Sequence, residues 1–136
     1  MTCQLCTEAL SYPLERVIFS DSNWILRHSA ETDILGYLVL QSKRHFLDLS
    51  EATKEEYTTY GGVLSLAMDR IRKITGCERV YTFSLAEAVP HLHVHVIPRA
   101  KDFNPQYKGR GIMSYPLVPA CDEESVHEIC ANLRAE

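Results

Sequence analysis

Apolar and polar positions follow two rhythms along this chain, and the rhythm switches several times. Residues 17–19 and 24–27 are short apolar stretches separated by the turn-forming run Ser20-Asp21-Ser22-Asn23, and together they predict a hairpin. Residues 29–33 read as a polar loop, and residues 36–40, Gly-Tyr-Leu-Val-Leu, as a strand ended by Lys43-Arg44-His45. The period then becomes 3.6. Tyr57, Tyr60, Leu64, Ala67, Met68, Ile71 and Ile74 recur at steps of three and four, which predicts the longest helix. Ser50 is its expected N-cap, with Glu51 near the positive helix end, and Gly76 its expected terminator. Gly61-Gly62 weakens its middle and suggests a close approach of another backbone. Two further strands are expected, 79–85 and 89–98. In the second, His91, His93 and His95 point one way while Leu92, Val94 and Val96 point the other. A coil with several basic residues spans 99–111. A final helix at about 122–134 opens on three acids and carries Val126, Ile129, Cys130 and Leu133 on one face. Residues 3–16 read as an irregular segment with a turn at Pro13. This order predicts an α+β fold, a mainly antiparallel sheet with helices on one face.

Composition narrows the function. The 136 residues suit one domain, 1–136, long enough to bury a core without staples. With 46% apolar and 24% charged residues, a disordered chain is excluded. The formal charge of −4 makes the protein a poor partner for long nucleic acid, and leaves room for a small anionic ligand on a local basic patch. No apolar run reaches the ~18 residues of a membrane span. The opening MTCQLCTEAL lacks the basic start and apolar run of a secretory signal, so a cytosolic protein is expected. Five scattered cysteines argue against a disulfide framework.

The chemistry concentrates in residues 91–95, which hold three of the six histidines. A solvated polar strand face would be the bland account, but three imidazoles in register, with no Lys, Thr or Glu among them, favour function. Such a row has two chemical uses. Neutral imidazoles can hold a catalytic zinc. Alternatively, an imidazole with its ordinary pKa near 6.5 is a nucleophile at neutral pH. If a carbonyl holds Nδ1–H, Nε2 presents a lone pair to phosphorus, and the flanking histidines donate to the phosphate oxygens as charge develops.

HLHVHVI, residues 91–97, resembles the signature of the histidine triad superfamily, His-φ-His-φ-His-φ-φ with φ apolar, and Pro98-Arg99 after it is common there. Residues 36–51, GYLVLQSKRHFLDLSE, resemble the stretch these proteins carry before their long helix. The resemblance covers most of the chain, to about Arg110. It implies a five-stranded, mainly antiparallel sheet with one long and one C-terminal helix. It also implies a nucleotide hydrolase or transferase acting at the α-phosphate of phosphoramidates or dinucleoside polyphosphates. By the resemblance, His93 attacks and forms a nucleotidyl-histidine, His95 contacts the phosphate, and His91 orients the site or binds metal. The phosphoryl chemistry requires no metal. Homodimers are usual in the family, and the region of Tyr57, Tyr60, Gly61 and Gly62 is the expected contact.

Cys3-x-x-Cys6 has the spacing of half a zinc site; its rivals are a redox pair, for which the thioredoxin-like βαβ context is absent, and coincidental spacing. Some relatives look similar here, joining such a pair to a histidine after the early strand and to the first histidine of the motif. Carried over, the ligands are Cys3, Cys6, His45 and His91, a Cys₂His₂ set that indicates a structural zinc. Cys77, Cys121 and Cys130 carry no expected role.

The chain departs from the family pattern at two places. Relatives often carry Gly-Gln-Ser or Gly-Gln-Thr before the triad, where this chain has Ala86-Glu87-Ala88. Ala88 has no proton to give, and Glu87 would serve as a general acid only if burial raised its pKa. Ser29 stands where relatives place Asp or Asn on the ribose hydroxyls. The coil residues Arg99, Lys101, Lys108 and Arg110 are candidates to receive leaving phosphates, and Trp24, Ile25 and Leu26 to wall a base pocket. Losing the Ser/Thr hydroxyl also motivates a rival reading, a nucleotide-binding module with little turnover.

Overall fold

A computed structural model describes residues 3–9, 11–118 and 121–135. A short helix α1 (Gln4–Glu8) leads into the hairpin of β1 (Val17–Ser20) and β2 (Trp24–His28). Then come β3 (Leu38–Ser42), the 22-residue helix α2 (Lys54–Thr75), β4 (Arg79–Phe83), β5 (His93–Arg99) and α3 (Glu123–Ala135). The strands form one sheet of order β1-β2-β3-β5-β4, every neighbouring pair antiparallel. The expected α+β architecture is what the chain adopts.

Strand alternation sorts the side chains onto two faces. Trp24 and Leu26 of β2, Leu38 and Leu40 of β3, and Val94 and Val96 of β5 turn to one face, against Val63, Ala67 and Ile71 of α2 and Val126, Ile129, Cys130 and Leu133 of α3. A second, smaller cluster on the other face joins Tyr37, Val39 and Ile97 to Ile112. The stripe of α3 matches the sequence periodicity; on α2 Ala67 and Ile71 are buried as expected with Tyr60, Leu64, Met68 and Ile74 packed at their edges, but Val63 joins the core and Tyr57 falls outside it, exposed.

Several expected boundaries move. The cap of α2 is Thr53, not Ser50: Thr53 Oγ1 accepts from Glu56 N, and Glu56 Oε1 accepts from Thr53 N at 2.7 Å. Ser50 lies in a preceding 3₁₀ turn, Leu49–Glu51, capped by Asp48. Gly76 does end the helix, with φ +67° and its N–H on Arg72 O. Gly61 and Gly62 meet nothing within 4 Å, so no close backbone approach exists within the described chain. Gly36 lies before β3 rather than in it. Its φ is +93°, and a Cβ there would stand 2.9 Å from Ile71 Cδ1, so both backbone and packing select glycine. The basic coil is two 3₁₀ turns, Pro105–Tyr107 and Gly109–Ser114. Among the described residues no helix is long and apolar enough to cross a membrane.

Candidate active site and metal cluster

The histidine strand is shorter than its alternation suggests. β5 begins at His93, and His91 sits in the turn before it, its N–H on Val89 O. His91 therefore leaves the row expected for it and is buried at 1% exposure. Its Nε2 lies 2.8 Å from Ser42 O. A carbonyl can only accept, so Nε2 carries the proton and Nδ1 keeps its lone pair.

That Nδ1 points at Cys3 Sγ (3.4 Å), Cys6 Sγ (3.4 Å) and His45 Nδ1 (3.2 Å), and Cys6 Sγ is 3.5 Å from His45 Nδ1. All four donor atoms lie within 4.8 Å of one another. Donors around a tetrahedral zinc, at bonds of about 2.3 Å to sulfur and about 2.0 Å to nitrogen, stand roughly 3.3–3.8 Å apart. The donor chemistry and spacing thus fit a Cys₂His₂ ion, and Ser42 O supplies the carbonyl that commonly orients a ligating histidine. The four residues come from α1 (Cys6) and its N-cap (Cys3), the loop after β3 and the turn before β5. Arg44 holds that loop by pairing with Glu56 of the α2 capping box at 2.9 Å. His93 and His95 take no part in the cluster, so three convergent histidines on one catalytic zinc are not what the chain builds.

His93 reverses the arrangement. Its Nδ1 is 2.7 Å from His91 O, so Nδ1–H donates to that carbonyl and Nε2 keeps the lone pair. Nε2 has no protein partner among the described residues. His95 stands 5.2 Å away, centroid to centroid, and stacks at 4.6 Å on Phe83. The Tyr37 hydroxyl is 2.7 Å from His95 Nδ1. Tyr37 is buried and this is its hydroxyl's sole partner among the described residues, so the O–H donates and His95 carries its proton on Nε2. Burial, with Glu31 adding to it, pushes the Tyr37 hydroxyl up to about 12, which keeps it a donor. Burial, and then the charges of His93 and Arg27, push His95 down to about 4, so it is a neutral Nε2–H donor at neutral pH.

His93 and His95 open onto a cavity of about 470 Å³. Its walls are Tyr37 and Phe83, the loop of Ala86, Glu87 and Ala88, and the segment from Ile112 to Leu117. The face is therefore partly roofed rather than open. Two bonds pin the roof: Gly109 N–H donates to Tyr81 Oη at 2.7 Å, and Tyr115 O–H donates to Asp33 Oδ1 at 2.6 Å.

The other expected residues divide. Ser29 and Glu87 line the cavity. The Ser29 hydroxyl accepts from Glu31 N at 3.2 Å. Glu87 is exposed, so the burial its acid role required is missing; Ala88 is exposed too. Arg99 does not reach the cavity. It is 7% exposed at the far end of β5, with Nη1 2.6 Å from Glu78 Oε1, because a buried guanidinium needs a carboxylate. Lys101, Lys108 and Arg110 are also outside the lining. Trp24 and Leu26 belong to the helix-side core, Trp24 Nε1–H donating to Thr59 Oγ1, and wall no base pocket; Ile25 is likewise outside the cavity. Tyr37, Phe83 and the roof were missed. A lone hydroxyl in the otherwise apolar run before Leu38 and the apolar Ile112-Met113 within a basic coil were the available signals.

No protein-family model matches the chain, and no curated protein matches it in sequence. Solved structures do match. A hypothetical histidine triad nucleotide-binding protein from Sulfolobus tokodaii superposes with TM-score 0.76 at 18% identity, over 98% of this chain and 90% of that one. A histidine triad protein from Sinorhizobium meliloti gives 0.75 at 21% identity, over 88% and 87%. This chain has the histidine triad fold. A zinc-bound histidine triad family protein from Mycobacterium smegmatis shares that fold too, with TM-score 0.71 and 20% identity over 99% of this chain and 92% of that one. At such identities the histidine triad fold is what the likeness establishes; the chemistry rests on the residues above.

Proposed function

We propose that the protein is a nucleotide hydrolase or nucleotidyl transferase acting at the α-phosphate of phosphoramidates or dinucleoside polyphosphates, with His93 as nucleophile. One observation carries the reading: His93 Nδ1–H is held by His91 O at 2.7 Å while Nε2 faces a 470 Å³ cavity beside His95. In the first step Nε2 bonds to phosphorus and the bond to the leaving nitrogen or oxygen breaks, the electron pair leaving with that group. His95 Nε2–H donates to a non-bridging oxygen. Water, or another acceptor, then attacks phosphorus and frees His93 and the nucleoside monophosphate. The net hydrolysis consumes one water and returns the leaving group protonated.

Cys3, Cys6, His45 and His91 would hold a structural zinc, tying α1 to the base of β5 without touching the reacting phosphorus. The donor chemistry and spacing support this, as does the zinc-bound relative in fold. The protein is proposed to work as a homodimer. Outward-facing Gly61 and Gly62 and exposed Tyr57 on α2 support that contact, and sedimentation of a Tyr57→Glu variant as a monomer would bear on it.

The deciding experiment follows AMP release from adenosine 5′-phosphoramidate and diadenosine tetraphosphate by wild type and His93→Ala. Release by wild type alone supports the reading. Folded wild type that turns over neither substrate overturns it. A second reading, a binding module with little turnover, is favoured by the exposed, hydroxyl-free Ala88. It would show as AMP binding without AMP release.

A further inference from the structure

Strand register lays a grid on the cavity face. Arg27 pairs with Val39, and Val39 with His95; Ile25 pairs with Gln41, and Gln41 with His93. Arg27 thus stands two strands from His95 in the same row, a span of roughly 9–10 Å between backbones. It is diagonal to Gln41, which directly adjoins His93. Two contacts hold its side chain. Arg27 Nε–H donates to Gln41 Oε1 at 2.9 Å, and the guanidinium carbon lies 4.5 Å from the centre of the Tyr12 ring. Tyr12 O–H donates to the same Gln41 oxygen at 3.0 Å. Both donors need an acceptor, so the Gln41 amide can only be oriented this way. Its NH₂ group is then left buried without a partner, a cost the site tolerates to aim the arginine.

The charge of Arg27 is not met within the described chain. Among the described residues no carboxylate lies within ion-pair distance; after burial the Tyr12 hydroxyl acts on it most, and Glu8 and Glu31 act only through space. Apart from the Tyr12 hydroxyl, which lies close enough to act on the guanidinium, its terminal nitrogens have no partner among the described residues and are not sealed from solvent. By contrast, the buried Arg99 is paired with Glu78 and Arg44 with Glu56. Half-burying an unpaired cation destabilises a fold unless a ligand completes it. A guanidinium stacked on a ring and pinned at Nε presents a fixed two-pronged donor, pre-organised for a planar pair of acceptors.

We propose that Arg27, positioned by Tyr12 and Gln41 on the same sheet face as His95 but outside the cavity lining, is a ligand-binding residue at the cavity's edge that takes a pair of acceptor atoms on a nucleotide reaching past His93 and His95, above all two phosphate oxygens. This rests on the nucleotide reading above, but its test needs no turnover. Binding of inorganic phosphate, AMP and GMP is measured by calorimetry on wild type, Arg27→Lys and Arg27→Gln, with thermal unfolding as the folding control. A two-pronged charged contact predicts at least about a tenfold loss for all three ligands in Arg27→Gln, and a smaller loss in Arg27→Lys. Loss for GMP alone also supports the receptor and assigns it to the O6/N7 edge of the base. Unchanged affinity for all three overturns it. Should the variants unfold, the Arg27 Nε–H resonance of ¹⁵N-labelled wild type must shift on adding phosphate or GMP; a resonance that stays put under saturating AMP and GMP overturns the proposal. Binding that depends on Arg27 without AMP release would sink the enzymatic reading and leave this one standing.

Discussion

The metal cluster and the cavity are built from the same short stretch, yet they use histidine in opposite senses. His91 gives its Nε2 proton to Ser42 O and turns Nδ1 toward two thiols and an imidazole. His93 gives its Nδ1 proton to His91 O and turns Nε2 toward space. His28 extends the series: Nδ1–H donates to Ser29 O at 2.8 Å, and Nε2 accepts from Gly36 N–H at 2.9 Å. In each case a backbone carbonyl chooses which nitrogen stays basic, and the surroundings of that nitrogen decide between ligand, nucleophile and structural acceptor.

The sharpest way to separate the two regions is to remove their central residues. His93→Ala should lower AMP release by at least about a thousandfold while leaving metal content intact, since a nucleophile has no substitute. His91→Ala, or Cys6→Ser, should abolish stoichiometric zinc and lower Tm by more than about 5 °C, read by metal analysis and calorimetry. Wild-type turnover should survive chelator at temperatures where the fold survives. Loss of chemistry before loss of structure would break the division between the two regions.

A subtler change tests how His95 is poised. Tyr37→Phe removes the donor at Nδ1, so both tautomers become accessible and half the population turns a lone pair on the phosphate. A fall in kcat of about twofold, with KM little changed, is expected. The ¹⁵N shifts of the His95 ring should report mixed tautomers; a ring that keeps a single Nε2–H form would sink the idea.

The buried His28 gives the pH dependence. Burial pushes it from 6.5 to about 4. The unfolded chain therefore takes up a proton below about pH 6.5, and the folded one not until about pH 4. Stability is full above 6.5 and falls as pH drops through that window, by on the order of 3 kcal/mol at its foot. A His28→Gln variant should show a shallower slope of stability between pH 6.5 and 4 in denaturant titrations. The smallest effect expected is at the helix cap: Thr53→Ala should cost about 1 kcal/mol by the same measurement and leave both histidine regions untouched.

Most of the fold was legible in the chain itself. The core stripe of α3, Val126, Ile129, Cys130 and Leu133, and the apolar side of β5, Val94 and Val96, are set by periods of 3.6 and 2 that survive without any partner in view. Gly76 marks its helix end because few other residues adopt its φ. The four donors Cys3, Cys6, His45 and His91 were legible through residue chemistry and family resemblance, although 85 residues separate Cys6 from His91.

What sequence could not carry was direction and pairing. The alternation of residues 91–95 implies one row of three imidazoles, but His91 leaves the strand because its Nε2–H finds Ser42 O and its Nδ1 finds Cys3 and Cys6. Arg99 and Arg27 look alike in a sequence. Only the folded chain sets Glu78 beside Arg99 and neutralises it, while aiming Arg27 from Tyr12 and Gln41 with its charge unmet. Periodicity is local, so one strand or helix can encode it alone. The proton on a ring nitrogen and the partner of a charge are settled by atoms from distant segments, and those meet only when the tertiary structure closes.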